Sequence, residues 1–279
     1  MYSQLASVYD KLMGDIPYDR FVGLWEEMLA KTGLATDQLI DMGCGTGMMI
    51  PQFLRRARRV VGVDPSLEML AQAEQRVASY GRRVSFVQAR AEAFASPVKA
   101  DGCMAFCDVL SYTRSQEELA RSFETMAKAL KPDGWVLFDV HSPHKVLEGI
   151  GDNLYGDIRD EEIAIMKTEV AVANLEVTYD VVLLLRESDG RYARYEERHV
   201  QRAFELEILL QALAQAGFAR VTLGADFEMW WGNPEDELTT PRSADVCQLE
   251  KGAGIRIDGE PRLSVMAQAD RWFFFARKS

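Results

Sequence analysis

Apolar positions recur along the chain in two different rhythms, and the change between them divides it. In the first half, short apolar runs at 39–41, 60–64, 84–88, 102–106 and 135–140 alternate with stretches of helical period at 18–31, 48–58, 66–80 and 116–130. Runs bounded by turn residues and separated by helical patterns predict βαβ units and a parallel, doubly wound α/β sheet. Lys131-Pro132-Asp133-Gly134 punctuates the last of these helices and launches the fifth strand.

After residue 140 the rhythm becomes extended. Segments 163–172, 176–186 and 191–200 carry no helical period, and Asn174 and Asp189-Gly190 supply turns between them. They predict an antiparallel insert spanning 141–202. A helix is expected at 204–216, ending at Gly217. Strands at 220–225 and 272–277 would complete the main sheet. The expected organisation is a main domain of residues 1–140 and 203–279, with the insert on its substrate side. Residues 228–270, rich in Gly, Pro and charge, are expected to form a long loop or lid.

The first strand runs into Leu39-Ile40-Asp41-Met42-Gly43-Cys44-Gly45-Thr46-Gly47. Glycine turns tightly and lets a ligand approach a backbone without meeting a Cβ. The spacing is G-x-G-x-G. A nicotinamide-type loop needs a further glycine where Met48 stands, and no G-K-[ST] follows for a nucleoside-triphosphate loop. Such a turn suits a nucleoside without phosphates, and S-adenosyl-L-methionine is the common cofactor of that kind. Asp64 closes Val60-Val61-Gly62-Val63-Asp64 about twenty residues past the first glycine, where a dinucleotide fold places its ribose acid. The same carboxylate could instead cap the helix that starts at Pro65-Ser66.

These features resemble the class I S-adenosylmethionine-dependent methyltransferases, well over residues 1–226 and 271–278 and poorly over 227–270. Tyr9-Asp10-x-Leu12-Met13 with Asp15-Ile16-Pro17-Tyr18, Cys107-Asp108-x-Leu110-Ser111-Tyr112, Phe138-Asp139-Val140-His141-Ser142 and Glu196-Glu197-x-His199-x-Gln201-Arg202 are similar to a bacterial subgroup without a settled substrate. Ligands of open α/β sheets bind beyond the carboxyl ends of the strands. The resemblance and that rule together imply cofactor contacts from Asp41, Gly43, Cys44, Gly45 and Gly47, then Asp64, Pro65 and Met69, then Ala91 and Glu92 near the adenine, then Cys107, Asp108, Leu110 and Tyr112. Tyr9 and Tyr18 are expected on a segment that folds over the cofactor.

The implied reaction is in-line displacement at the methyl carbon, with an oxygen or nitrogen of a small molecule as acceptor. Candidates for a proton-accepting group are His141, then Asp108, then His199. Along a strand, His199, Glu197 and Gln201 share one face and Glu196, Arg198, Val200 and Arg202 the other. Trp230 and Trp231 are candidates to stack on a flat substrate. A regulatory protein that binds the cofactor without catalysis, or a methyltransferase acting on RNA or protein, are the alternatives.

Composition narrows these choices. Across 279 residues, 32 basic and 43 acidic side chains leave a net charge of −11, which opposes a mainly electrostatic hold on nucleic acid. Arg55, Arg56, Arg58 and Arg59 form the one basic run, expected in the last turn of a helix. Cys44, Cys103, Cys107 and Cys247 lack the spacing of a zinc site or a disulfide framework. No metal is expected. With no signal-peptide pattern and no membrane-length apolar run, the expected location is cytoplasmic.

Overall fold

The computed structural model describes residues 6, 9–12, 14–231, 243–259 and 261–278. Met13 of the expected lid motif and residues 232–242 of the expected loop lie outside them. In chain order, α1 (Tyr9–Leu12) and α2 (Tyr18–Thr32) precede the first βαβ units: β1 (Gln38–Met42), α3 (Ile50–Phe53), β2 (Arg59–Asp64), α4 (Leu67–Val77), β3 (Val84–Gln88), β4 (Ala100–Ala105), α5 (Gln116–Ala129) and β5 (Leu130–His141). Then come β6 (Leu154–Ile158), β7 (Glu162–Ala171), β8 (Glu176–Arg186) and β9 (Tyr192–Arg202). The chain finishes with α6 (Leu206–Gln215), β10 (Phe218–Ala225), β11 (Glu228–Met229), α7 (Ala244–Ala253), β12 (Arg256–Asp258), α8 (Leu263–Met266) and β13 (Arg271–Lys278).

Among the described residues the main sheet runs β11-β10-β13-β5-β4-β1-β2-β3, with β12 pairing on β10. Neighbours from β3 to β5 are parallel. β13 is antiparallel to both β5 and β10. Strands buried on both faces read as continuous apolar runs, which is why the sequence pattern located them. One face packs Leu39, Val60, Met104, Leu137 and Phe273 under Phe21, Trp25, Met28 and Phe53. The other packs Ile40, Val61, Cys103, Val136, Phe138 and Phe274 under Leu119, Phe123, Leu209 and Leu213.

Caps explain several helix limits. Ser66 and Ser115 accept from the N–H groups of Met69 and Glu118 at the starts of α4 and α5. Gly33 in a left-handed conformation ends α2. The helix expected over 48–58 shrinks to α3. The carbonyls of Leu54 and Ala57 are taken by the Arg83 guanidinium at 2.6 and 2.8 Å, so the chain turns into β2 and the four-arginine run lies in that turn and at the strand start. Over 66–80, α4 ends at Val77 and a 3₁₀ turn follows.

The second sheet is antiparallel, in the order β6-β7-β8-β9. Its β6 has no sequence-stretch counterpart above, because all five residues are exposed and lack alternation. The described part of 228–270 contains β11, α7, β12 and α8. Val246, Ile257 and Met266 anchor it in the main core. No described helix is long and apolar enough to cross a membrane.

Candidate active site

Two adjoining cavities open at the carboxyl ends of the parallel strands. The first lies over the glycine turn. Gly43, Gly45 and Gly47 all have positive φ. The N–H groups of Gly43 and Cys44 donate to Val63 O at 2.7 and 3.0 Å, which folds the turn onto β2. A Cβ on Gly43 would stand 2.1 Å from Val109, whereas one on Gly45 would meet nothing within 4 Å. Gly43 is therefore required by packing, and Gly45 faces open space in the cavity wall.

Asp64 stands in the wall of this cavity and also makes the helix-start contact. Its Oδ2 accepts from Gly45 N–H at 3.0 Å and its Oδ1 from Ser66 N–H at 2.9 Å, so it clamps the glycine turn and starts α4. Each oxygen keeps a further lone pair for a ligand hydroxyl. Burial pushes its carboxyl up, and the two backbone donors oppose that. Pro65, Met69, Ala91, Glu92 and Tyr112 continue the wall. Glu92 is held by Arg90 at 2.5 Å. Beneath the turn, Asp41 is buried and its Oδ2 has no hydrogen-bond partner among the described residues. Burial, and then Asp64, push its pKa up to about 8.

The N-terminal segment is latched to this loop. Thr46 Oγ1 donates to Asp10 at 2.6 Å, Arg76 pairs with the same carboxylate, and Arg76 Nε donates to Thr46 O at 2.9 Å. The latch leaves Tyr9 in the walls of both cavities.

The second cavity, of about 480 Å³, lies between the strand ends and the inner face of the second sheet. Tyr9, Cys107 and Tyr112 line both cavities and mark their junction. Cys107 and Asp108 both take left-handed conformations, each with φ 62°. That geometry is costly for residues other than glycine. Asp139 pins it by accepting from both N–H groups, at 2.8 and 3.2 Å. Asp108 is ion-paired with Arg271 at 2.9 Å and lies 3.1 Å from His141 Nε2, and Arg271 also pairs with Asp139. Burial works to raise the Asp108 pKa, but His141 and Arg271 override it and hold the carboxyl below its ordinary range. For Asp139 burial prevails and pushes the carboxyl up.

β9 turns alternate residues toward this cavity. His199 and Gln201 line it, and His199 Nε2 is 3.2 Å from Glu197 Oε2. Its ring also meets Tyr112 edge-on, with centroids 6.3 Å apart.

The structure thus gathers Tyr9, Gly43, Gly45, Asp64, Pro65, Met69, Ala91, Glu92, Cys107 and Tyr112 around the first cavity, with Asp108 and His199 at the second. Asp41, Cys44, Gly47 and Leu110 line neither. They lie in the supporting layer, Gly47 against Ala73 and Leu110 in the core. Tyr18 packs with the α2 side of the core rather than in a cavity wall, and burial raises its hydroxyl pKa. His141 also lines neither cavity and stands against Asp108. Trp230 is core, and Trp231 donates to Glu27 at 2.6 Å instead of facing a ligand. Arg271, Tyr155, Met166 and Tyr179 of the second cavity were not singled out from sequence. Each belongs to an ordinary-looking strand, and the strand pairing alone brings them inward.

Residues 39–134 match a family model described as a methyltransferase domain. Over 228 residues the chain is 32% identical to "Putative methyltransferase YqeM" of Bacillus subtilis (strain 168), covering 81% of this chain and 90% of that protein. In fold it is similar to an S-adenosylmethionine-dependent methyltransferase from Clostridium acetobutylicum ATCC 824, with TM-score 0.74 and 20% identity over 100% of this chain and 99% of that one. It is also similar to the sugar N-methyltransferase KedS8 from Streptoalloteichus sp ATCC 53650, with TM-score 0.67 and 17% identity over 98% and 92%. With the glycine turn, the clamping acid and the doubly wound sheet already in place, the chain belongs to the S-adenosylmethionine-dependent methyltransferases of the Rossmann-like class.

Proposed function

We propose that this enzyme methylates an oxygen or nitrogen of a small molecule held in the second cavity. The observation that carries the proposal is the junction: Tyr9, Cys107 and Tyr112 border both cavities, so a donor in one and an acceptor in the other would meet there. The residues fit the cofactor. Gly45 leaves room at the backbone, and Asp64 keeps lone pairs for ribose hydroxyls.

In this assignment Gly43, Gly45, Asp64, Pro65 and Met69 hold the nucleoside, with Ala91, Glu92 and Tyr112 about its base. Bound there, S-adenosyl-L-methionine supplies a methyl group made electrophilic by its sulfonium. The chain's own contribution is to orient the acceptor and keep water away. Residues 1–140 and 203–279 hold the cofactor and 141–202 cover the acceptor. The cavity is of the size that takes small ligands, and the net charge of −11 disfavours nucleic acid. A cytoplasmic location, and a place in the bacterial subgroup marked by the four stretches quoted above, belong to the same proposal.

Incubation with methyl-labelled S-adenosylmethionine and separate small-metabolite, total-RNA and total-protein fractions tests it. Label in the metabolite fraction alone is the expected result. Label in RNA or protein would replace the substrate class. No label in any fraction, with the cofactor bound, would favour a regulatory binding protein.

A further inference from the structure

Tyr179 of β8 and Gln201 of β9 both line the second cavity. Among the described residues, neither the Tyr179 hydroxyl nor the Gln201 carboxamide makes a hydrogen bond, and neither group is sealed off from solvent. Gln201 as a whole is only 8% exposed, so its amide opens onto the cavity rather than the outer surface. The β8–β9 register pairs Tyr179 with His199 and Val177 with Gln201. That makes Tyr179 and Gln201 diagonal neighbours on one face, about 7–8 Å apart between Cα atoms and within reach of a common ligand group.

Buried polar groups are almost always hydrogen-bonded, so an exception calls for an explanation. The surrounding wall supplies no partner. Phe21, Met166, Val181 and Phe227 are apolar, and charged groups are engaged with one another, Asp108 with Arg271 and Asp157 with Arg159 at 2.7 Å. A few polar groups in an otherwise apolar wall are what orients and selects a small ligand. Burial pushes the Tyr179 hydroxyl pKa up, so it keeps its proton. A carboxamide offers two donors and a carbonyl acceptor, and a hydroxyl both donates and accepts. The complement of this pair is a neutral group that also donates and accepts. An ammonium would offer nothing to the Gln201 N–H donors, and a carboxylate nothing to its carbonyl.

Resting on the small-molecule assignment above, we infer that Gln201 and Tyr179 bind a hydroxyl or carboxamide of the methyl acceptor, distinct from the atom methylated, and so select a neutral polar acceptor. Both residues flank His199, whose ring meets Tyr112 at the junction. The bound group is thereby held against the second sheet, and the reacting atom is left to point toward the cofactor cavity.

The labelled product of the metabolite fraction tests the acceptor class. Its structure, by mass spectrometry and NMR, should carry an unmethylated hydroxyl or carboxamide besides the labelled atom. A product whose other polar groups are all charged, or which has none, overturns the inference and leaves the small-molecule assignment standing. A metabolite fraction without label overturns both.

Gln201→Leu and Tyr179→Phe test the residues, with serial dilutions of the metabolite fraction as the acceptor. Each variant leaves the acceptor's polar group unpaired in the cavity. The half-saturating amount should rise roughly 5- to 150-fold, with the saturated rate and S-adenosylhomocysteine binding little changed. Neither side chain loses a partner in the free protein, so the apo-protein Tm should hold or rise. Unchanged half-saturation overturns the role of the residue substituted. A lowered apo Tm in Tyr179→Phe would mean that the hydroxyl already had a partner, and overturns its role too. If Gln201→Leu fails to bind S-adenosylhomocysteine, Tyr179→Phe, which removes a single oxygen, decides on the same readouts.

Discussion

Asp64 uses two oxygens for two backbone donors and still lines the first cavity. Asp64→Asn keeps much of that geometry and removes the charge. A charge-assisted hydrogen bond contributes about 1.5–3 kcal/mol, so S-adenosylhomocysteine affinity should fall roughly 10- to 100-fold by calorimetric titration. Unchanged affinity would remove Asp64 from the site. Asp41 gives a pH prediction. Its folded pKa, pushed up to about 8 by burial and then by Asp64, lies above the value of about 3.9 in an unfolded chain. Between those limits the folded state binds the extra proton. The stability this group contributes is full below about pH 4 and is lost as pH rises through about 8. Asp41→Asn has no such proton. In apo-protein melts from pH 5 to 9, the variant's Tm should gain on wild type with rising pH and level off above 8. A constant difference would count against the assignment. Both acids were legible from their place beside the glycine turn. Their depth was not: Asp41 lies one residue before the end of β1 and Asp64 ends β2, yet one lies under the turn and the other in its wall.

Among elements, the strands are the best located, since burial on both faces leaves an uninterrupted apolar run. Helix limits depended on partners far away in sequence, as Arg83 shows by taking the carbonyls that would have continued α3. The contact between β5 and β13 carries a direct test. Phe138 and Phe274 stack with centroids 4.8 Å apart and planes within 3°, and both are fully buried. Phe274→Ala should cost about 3–5 kcal/mol in urea denaturation, with Phe274→Leu costing less. Equal losses would mean that volume at this position is unimportant. For β9 the period-two pattern correctly put His199, Glu197 and Gln201 on one face. Whether that face met water or a cavity depended on how the second sheet docks.

At the scale of the whole molecule, the second cavity is closed by a residue from the last strand. Arg271 reaches Asp108 across 163 positions of sequence and also neutralises Asp139. Removing one partner of a buried ion group leaves uncompensated charge and typically costs about 3–5 kcal/mol. Arg271→Ala should show a loss of that size in urea denaturation, and Asp139→Asn placed in the same chain should recover part of it. Strictly additive losses would show that the two groups are not coupled.

By itself the sequence determined the doubly wound class, the glycine turn with its two acids, and the change to an antiparallel insert. Those features are local: apolar period, turn chemistry and spacing act within a few residues. Tertiary structure alone decided that His141 stands against Asp108 while His199 enters the cavity, that Arg271 completes its charge balance, and that part of 228–270 packs into the core. These outcomes follow from strand order and sheet docking, which bring together side chains whose separation along the chain carries no local signal.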